Sequence, residues 1–138
     1  MKIEIFNISQ EDLQLPFAEG VKAGFPSPAE DFSSMGLNIT DVIVKNPAST
    51  FYAKVSGTSM IDNGINDGDI LVVDKAVDPY DGCTAICFID GEFTLKTVEI
   101  HPDYIMLVPA NKKFSPIKVT SENNFIIWGI VRYLIKKI

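Results

Sequence analysis

The residues of this chain that could do chemistry are a serine, a lysine and a pair of small residues. Ser59 follows Gly57 in the sequence Ser-Gly-Thr-Ser-Met at residues 56–60. A tight turn there can expose a hydroxyl and leave backbone N–H groups free to stabilise an oxyanion. A serine nucleophile needs a base, and a lysine can serve when burial lowers its pKa towards neutrality. Lys96 is our candidate for that base.

The surroundings of Lys96 are unusual for a charged residue. Alternation along the strand-like run at residues 92–100 places its side chain on the same face as Val98 and Ile100. A lysine in apolar company fits a buried base, but a lysine that guards an edge strand against aggregation is an open alternative. Lys54 is a second candidate, on a strand that we expect to be half exposed.

Several other polar residues are better explained by structural roles. Ser59 itself could be a turn serine that bonds local backbone groups, so its residue type alone does not decide its role. His101, the single histidine, lies in a His-Pro-Asp sequence and is expected at a surface turn. Four aspartates match no calcium-loop spacing and are expected in turn and capping roles, namely Asp62, Asp67, Asp69 and Asp74. We predict no cofactor and no metal.

The composition is that of an acidic globular chain of single-domain size. The 138 residues are 46% hydrophobic and carry a net charge of −6. Such a chain lacks the positive surface that binds phosphates, so direct nucleic-acid binding is not expected. Cys83 and Cys87 are too far apart along one strand for a disulfide and are expected to be buried. The sequence shows neither a signal-peptide pattern nor a long apolar span, which predicts a cytoplasmic protein.

Strand-like runs from Thr50 onward predict a mostly β fold. About seven short strands at this spacing favour a compact curved sheet or partly closed barrel. The Asp-Gly pair at residues 90–91 predicts a hairpin. Residues 1–36 contain prolines and little periodicity, and are predicted to form a flexible N-terminal arm ahead of a β-rich domain at 37–138. The predicted strands are residues Thr50–Ser56, 69–73, Cys83–Ile89, Glu92–Ile100, 104–108, 116–119 and Phe125–Ile135.

Three separated motifs together resemble the UmuD branch of the LexA-type serine peptidases. The first is Ser-Gly-Thr-Ser-Met at residues 56–60, followed by Ile-Asp-Asn-Gly-Ile and Asp-Gly-Asp. The second is Gly-Glu-Phe-Thr-Leu-Lys, which ends at Lys96, and the third is Ala-Gly-Phe-Pro-Ser-Pro, which begins at Ala23. The resemblance covers nearly the whole chain and is specific, because the motifs occur in the family's order and at its intervals.

The resemblance implies a single-use switch in the SOS response to DNA damage. Ser59 would be the nucleophile, Lys96 the general base, and the bond between Ala23 and Gly24 the site of self-cleavage. It further implies a homodimer, a RecA-type recombinase filament on single-stranded DNA as co-protease, and a UmuC-type error-prone polymerase subunit that takes the trimmed form in translesion synthesis. UmuD relatives often have cysteine where this chain has Ala23, a difference that should not impair cleavage.

Other interpretations fit the sequence less well. A signal peptidase shares serine–lysine chemistry but needs a membrane anchor, and a phage-type repressor needs a helix-turn-helix domain in front of the β region. Neither feature is evident in the sequence. The alternative that stays open is a non-enzymatic polymerase accessory subunit with the same fold and vestigial chemistry.

Overall fold

One antiparallel sheet of eight strands dominates the structure. The computed structural model describes residues 2–8, 14–16, 36–57 and 61–138. The strands of this sheet run in the order β1-β4-β5-β10-β6-β7-β8-β9, and β2 pairs with β3 in a separate two-stranded ribbon. The strand bounds are β1 Lys2–Asn7, β2 Leu15–Pro16, β3 Gly36–Leu37, β4 Thr50–Ser56, β5 Ile70–Asp74, β6 Cys83–Ile89, β7 Glu92–Ile100, β8 Ile105–Val108, β9 Ile117–Val119 and β10 Phe125–Ile135.

The mostly β fold and all seven predicted strands are confirmed, with bounds that shift by one residue at most. The eighth strand of the sheet, β1, was not predicted. It falls within residues 1–36, and its six residues pair antiparallel with β4 from Lys2 opposite Ser56 to Asn7 opposite Phe51. The missed signal is the alternation of Ile3 and Ile5 with polar residues, which is short but has the period of a strand.

The hairpin between β6 and β7 forms at the predicted Asp-Gly pair. Asp90 and Gly91 both have positive φ, 49° and 89°, and they connect Ile89 to its partner Glu92. Two positive φ values characterise the two-residue turns whose twist matches that of the flanking strands. This turn fixes the register of β7 against β6, and therefore fixes which face of the sheet each β7 side chain points to.

The sheet buries apolar side chains on both of its faces. One cluster contains Leu95 of β7 and the other contains Val98, as strand alternation requires. The sheet curls enough for β1 to contact β7. It is nevertheless not a closed barrel, since among the described strands β1 and β9 form its edges. The first cluster consists of Ala53, Val55, Ile65, Leu71, Val73, Ile86 and Leu95, and the second of Cys83, Ala85, Cys87, Ile89, Val98, Leu107 and Ile130.

The chain divides into two compact units, residues 1–8 with 46–138 and residues 9–45. Within the second unit, helix α1 spans Ile39–Ile43. Asn38 caps it by accepting the Thr40 N–H at 3.0 Å. No described helix is long and apolar enough to cross a membrane. The predicted division at residue 36 into an arm and a peptidase domain stays a prediction.

Candidate active site

The predicted site residues divide into one that the structure describes and three that lie outside the described residues. Lys96 is in β7. Ser59 lies within residues 58–60, and Ala23 and Gly24 lie within residues 17–35, none of which the structure describes. The geometry of the site therefore comes from Lys96 and from the residues that flank Ser59 on either side.

Lys96 occupies an interior strand and is buried. Its strand, β7, pairs with β6 on one side and β8 on the other, and the residue is only 6% exposed. An edge-strand lysine would be exposed on an unpaired side of the sheet, so that alternative does not describe Lys96. Lys54 on β4 is exposed, so of the two candidate lysines Lys96 is the one in an environment suited to a base.

Neutral groups hold the amine of Lys96. Its Nζ donates to the Thr94 hydroxyl oxygen at 2.7 Å and to the Leu95 carbonyl oxygen at 3.2 Å. Among the described residues no carboxylate pairs with it. A neutral amine has two N–H groups and one lone pair, so two acceptors satisfy its hydrogens and leave the lone pair available. A protonated amine would have a third hydrogen to satisfy.

Burial lowers the pKa of Lys96 below its ordinary value of 10.5, because a charged amine loses hydration in this site. A thiolate at the neighbouring Cys87 would act in the opposite direction and raise the pKa of Lys96. Burial also raises the pKa of Cys87 to about 12, so this thiol stays protonated and places no negative charge beside the amine. The environment of Lys96 thus favours the uncharged form that a general base needs.

The chain on both sides of Ser59 is fixed by hydrogen bonds. Before it, Gly57 has a φ of 104° and donates its N–H to the Asp67 carboxylate at 3.0 Å. After it, the Asp62 N–H donates to the Ala110 carbonyl at 2.7 Å. The Asn63 side chain then donates to the Thr97 hydroxyl at 3.4 Å, one residue beyond Lys96 on β7. The segment at residues 58–60 therefore connects two anchored points, of which the second lies against β7.

A buried carboxylate supports the loop that holds Gly57. Asp69 is 6% exposed and accepts the Asn66 N–H at 2.8 Å and the Lys136 ammonium at 2.6 Å. Burial alone would raise the pKa of Asp69, but these two donors outweigh it and hold the pKa below its usual range. The Asp69 carbonyl also accepts the Val55 N–H at 2.9 Å, which joins this loop to the end of β4.

The remaining polar residues have the structural roles that the sequence indicated. Asp74 is buried and accepts hydrogen bonds from Ser49, Asn46 and the Ala76 N–H. His101 lies in the turn after β7, where its ring stacks on Tyr104 at 4.5 Å. Both cysteines are free and buried, as predicted. Among the described residues no group of three potential ligands could hold a metal ion.

Thr94 is a site residue that sequence reasoning missed. It lies two residues before Lys96, so the two side chains share one face of β7 and its hydroxyl can reach the amine. A hydroxyl at this spacing from a buried lysine is a signal that could have been found in the sequence. Alone it would have been weak, because threonine is common in strands for reasons of packing.

The chain is similar to several known proteins over most of its length. The Peptidase S24-like family matches residues 16–132. The chain is 36% identical to protein MucA of Escherichia coli, over 96% of this chain and 93% of that protein. It is 37% identical to protein ImpA of Shigella flexneri, over 88% of this chain and 82% of that protein. It is also 38% identical to the LexA repressor of Stenotrophomonas maltophilia, over 86% of this chain and 56% of that protein. The chain therefore belongs to the Peptidase S24-like family, that is, to the LexA/UmuD family of self-cleaving serine peptidases, as a UmuD-like member.

Proposed function

We propose that this chain is a serine endopeptidase that cuts itself once, between Ala23 and Gly24. Ser59 is the nucleophile and Lys96 the general base. The observation that carries the proposal is the setting of Lys96, a lysine buried in an interior strand with only neutral hydrogen-bond partners among the described residues. A buried lysine with no counter-charge is costly for stability unless it is neutral, and a neutral lysine is suited to accept a proton.

The reaction follows from these roles. The Ser59 oxygen attacks the Ala23 carbonyl carbon, while the hydroxyl proton passes to the free lone pair of Lys96. When the tetrahedral intermediate collapses, the bond to the Gly24 nitrogen breaks, and Lys96 returns the proton to that leaving amine. Water then hydrolyses the acyl-enzyme, with Lys96 again as base. The products are residues 1–23 and residues 24–138.

Thr94 is a positioning residue in this scheme. Its hydroxyl oxygen and the Leu95 carbonyl each accept one N–H of the amine, which turns the lone pair away from both. The Asn63 side chain bonds the Thr97 hydroxyl of β7 after Ser59, and the Gly57 N–H bonds the Asp67 carboxylate before it. In the proposed reaction the serine hydroxyl approaches the amine on the side of its lone pair.

The biological setting that fits this chemistry is the SOS response to DNA damage. We propose that a recombinase filament on single-stranded DNA promotes the cleavage, and that the trimmed form, as a homodimer, becomes an accessory subunit of an error-prone translesion polymerase. The net charge of −6 supports a role that runs through protein partners rather than through direct binding of DNA. The alternative is an accessory subunit of the same kind that never cuts itself.

Incubation of the purified chain separates these two functions. The protein is held at mildly alkaline pH, and in parallel with a nucleotide-loaded recombinase filament at neutral pH. Mass spectrometry should detect a fragment that ends at Ala23 and a new N-terminus at Gly24. Ser59→Ala and Lys96→Ala should abolish both products, because they remove the nucleophile and the base.

Matched substitutions control for loss of structure. Ser56→Ala removes a hydroxyl three residues before the nucleophile, and Lys54→Ala removes an exposed lysine from β4. Both variants should cut at the wild-type rate. A wild-type chain that stays intact in both conditions would establish the non-enzymatic alternative, and cleavage at another bond would refute the assigned site.

A further inference from the structure

Strand β1 belongs to the sheet. All six of its residues pair with β4. Ile3 and Ile5 point inwards and pack against the cluster that contains Ala53, Val55 and Leu95, whereas Lys2 and Glu4 are exposed. Residues 2–7 therefore complete the core of this unit with two aliphatic side chains and a row of backbone hydrogen bonds.

The position of β1 in the chain gives it a special relation to the proposed cleavage. A cut between Ala23 and Gly24 places β1 on the released fragment and β4 on the retained one. The two strands are then joined by no covalent bond, and only their pairing and the packing of Ile3 and Ile5 hold them together. Cleavage thus turns a tethered strand of the sheet into a peptide that can dissociate.

We propose that the groove beside β4 is a strand-binding site that self-cleavage makes available to a partner protein. The ligand is an extended segment that adds to the free edge of β4 and places two aliphatic side chains, at alternate positions, where Ile3 and Ile5 pack. The shape of this ligand is given by β1 itself, the strand that fills the groove in the intact chain. This inference rests on the proposed cleavage.

The tether explains how the groove is closed before the cut. Residues 8–49 link β1 to β4, and a linked segment is present at an effective concentration of about the millimolar range, which a free strand with the same contacts cannot match at cellular concentrations. After the cut that advantage is lost, and the released fragment competes with any partner on equal terms. Occupancy of the groove then depends on concentration and affinity.

A labelled peptide with the sequence of residues 1–8 tests the proposal. It is titrated into wild-type protein that has cut itself and has been freed of its fragment by gel filtration, and into intact Ser59→Ala protein. We expect saturable binding to the cut chain and binding at least about 100-fold weaker to the intact chain, where tethered β1 occupies the groove.

Peptide variants test the register without any risk to folding of the protein. Ile3→Ser and Ile5→Ser should each weaken binding by about tenfold or more, because these side chains enter the core. The matched changes Lys2→Ser and Glu4→Ser lie on the exposed side of the strand and should alter affinity by less than about threefold. Equal loss for both pairs would contradict the proposed register.

A second protein keeps this test independent of self-cleavage. In it, residues 21–26 are replaced by the recognition sequence of an added site-specific protease, and the chain is cut by that enzyme. The wild-type chain could fail to cut itself while the second protein binds the peptide after its cut. That result would refute the proposed self-cleavage and still support the strand-binding site beside β4.

Three other outcomes would overturn the inference. The cut chain could keep its own fragment without exchange, fail to bind the peptide, or unfold as the fragment leaves. Displacement of the bound peptide by added intact protein would assign the groove to a second copy of this chain instead of to a partner protein.

Discussion

At the scale of single residues, the central feature of the candidate site is the environment of the Lys96 amine. Lys96 is covered by the sheet and is held by a hydroxyl and a carbonyl. Low local dielectric makes the protonated amine costly, and the absence of a described carboxylate beside it leaves that cost uncompensated. In the proposed mechanism, residues that cover and orient Lys96 should therefore affect the rate of cleavage.

Removal of the Thr94 hydroxyl should slow self-cleavage. Thr94→Val keeps the shape of the side chain but takes away the acceptor at 2.7 Å from Nζ. A hydrogen bond of this kind contributes about 1 kcal/mol, so we expect the rate to fall about fivefold to tenfold. Thr94→Ser, which restores a hydroxyl, should recover most of that loss. Equal rates for Thr94→Val and the wild type, measured by densitometry of the fragments, would show that the contact is not used.

Self-cleavage should accelerate as the pH rises. The base must be uncharged, and burial places the pKa of Lys96 below 10.5, so the rate should climb through that lowered pKa and level off before 10.5. Lys96→Arg stays charged and should not cut at any pH, whereas the control Lys54→Arg should keep the wild-type profile. A rate that falls as the pH rises through this range would exclude Lys96 as the titrating base.

The same shift predicts a dependence of stability on pH. Between the lowered pKa of Lys96 and 10.5 the unfolded chain binds more protons than the folded chain. The free energy of unfolding should therefore increase as the pH rises through this window. Urea titrations of uncleavable Ser59→Ala protein should show that increase, and addition of Lys96→Met should remove it.

At the scale of elements, β5 has a buried carboxylate at each end, and the two act on different regions. Asp69 precedes Ile70–Asp74 and accepts hydrogen bonds from Asn66 and Lys136. The same loop contains Asp67, whose carboxylate accepts the Gly57 N–H. Asp74 closes the strand and contacts Ser49, Asn46 and Ala76, away from the residues that flank Ser59. In the sequence these two residues are only loosely spaced aspartates. The fold is what gives them different hydrogen-bond partners in different parts of the molecule.

This pair allows an effect on stability to be separated from an effect on the site. Asp69→Asn and Asp74→Asn should each lower the free energy of unfolding by about 1–3 kcal/mol, because each removes a charged acceptor from a buried network. Only Asp69→Asn should also slow self-cleavage, by about tenfold, since it loosens the loop at residues 66–69 that holds Gly57, two residues before Ser59. Unfolding is followed in urea by the fluorescence of Trp128, and cleavage is measured where both variants are folded. Equal cleavage rates would mean that the loop does not position the nucleophile.

At the scale of the whole molecule, the proposed cleavage would remove a strand that contributes to the core. The fragment that self-cleavage would release contains β1, and Ile3 and Ile5 of that strand help to fill the core. A molecule that loses β1 should be less stable, and the edge of β4 that β1 had paired with becomes exposed. The cut is therefore expected to change what the sheet can bind as well as the length of the chain.

Stability of the cut protein should depend on the concentration of free β1. We expect its urea midpoint to lie below that of intact Ser59→Ala protein and to rise when the peptide of residues 1–8 is added. At a peptide concentration of 100 times its Kd the gain should be about 2.7 kcal/mol, because a ligand of the folded state stabilises by mass action. The Ile5→Ser peptide at the same concentration should have less effect. A midpoint that ignores both peptides would show that β1 does not bind reversibly.

The sequence by itself determined the features that depend on near neighbours. Alternation predicted the seven strands from Thr50 onward and placed Lys96 on the same face as Val98, and the Asp-Gly pair predicted the hairpin that sets their register. These features follow from the two-residue period of a strand and from the backbone preferences of single residues, both of which are local.

Only the tertiary structure decided which strands lie side by side, because strand pairing joins residues far apart in the chain. Strand β7 lies between β6 and β8, and this position buries Lys96. From the sequence alone, an exposed lysine on an edge strand was an equally open alternative. Residues 2–7 of β1 pair with β4, whose residues lie more than 40 positions later in the chain. The alternation in residues 2–7 is too short to predict this pairing from the sequence. Sequence patterns thus gave the direction in which each side chain points, and long-range pairing decided what it meets.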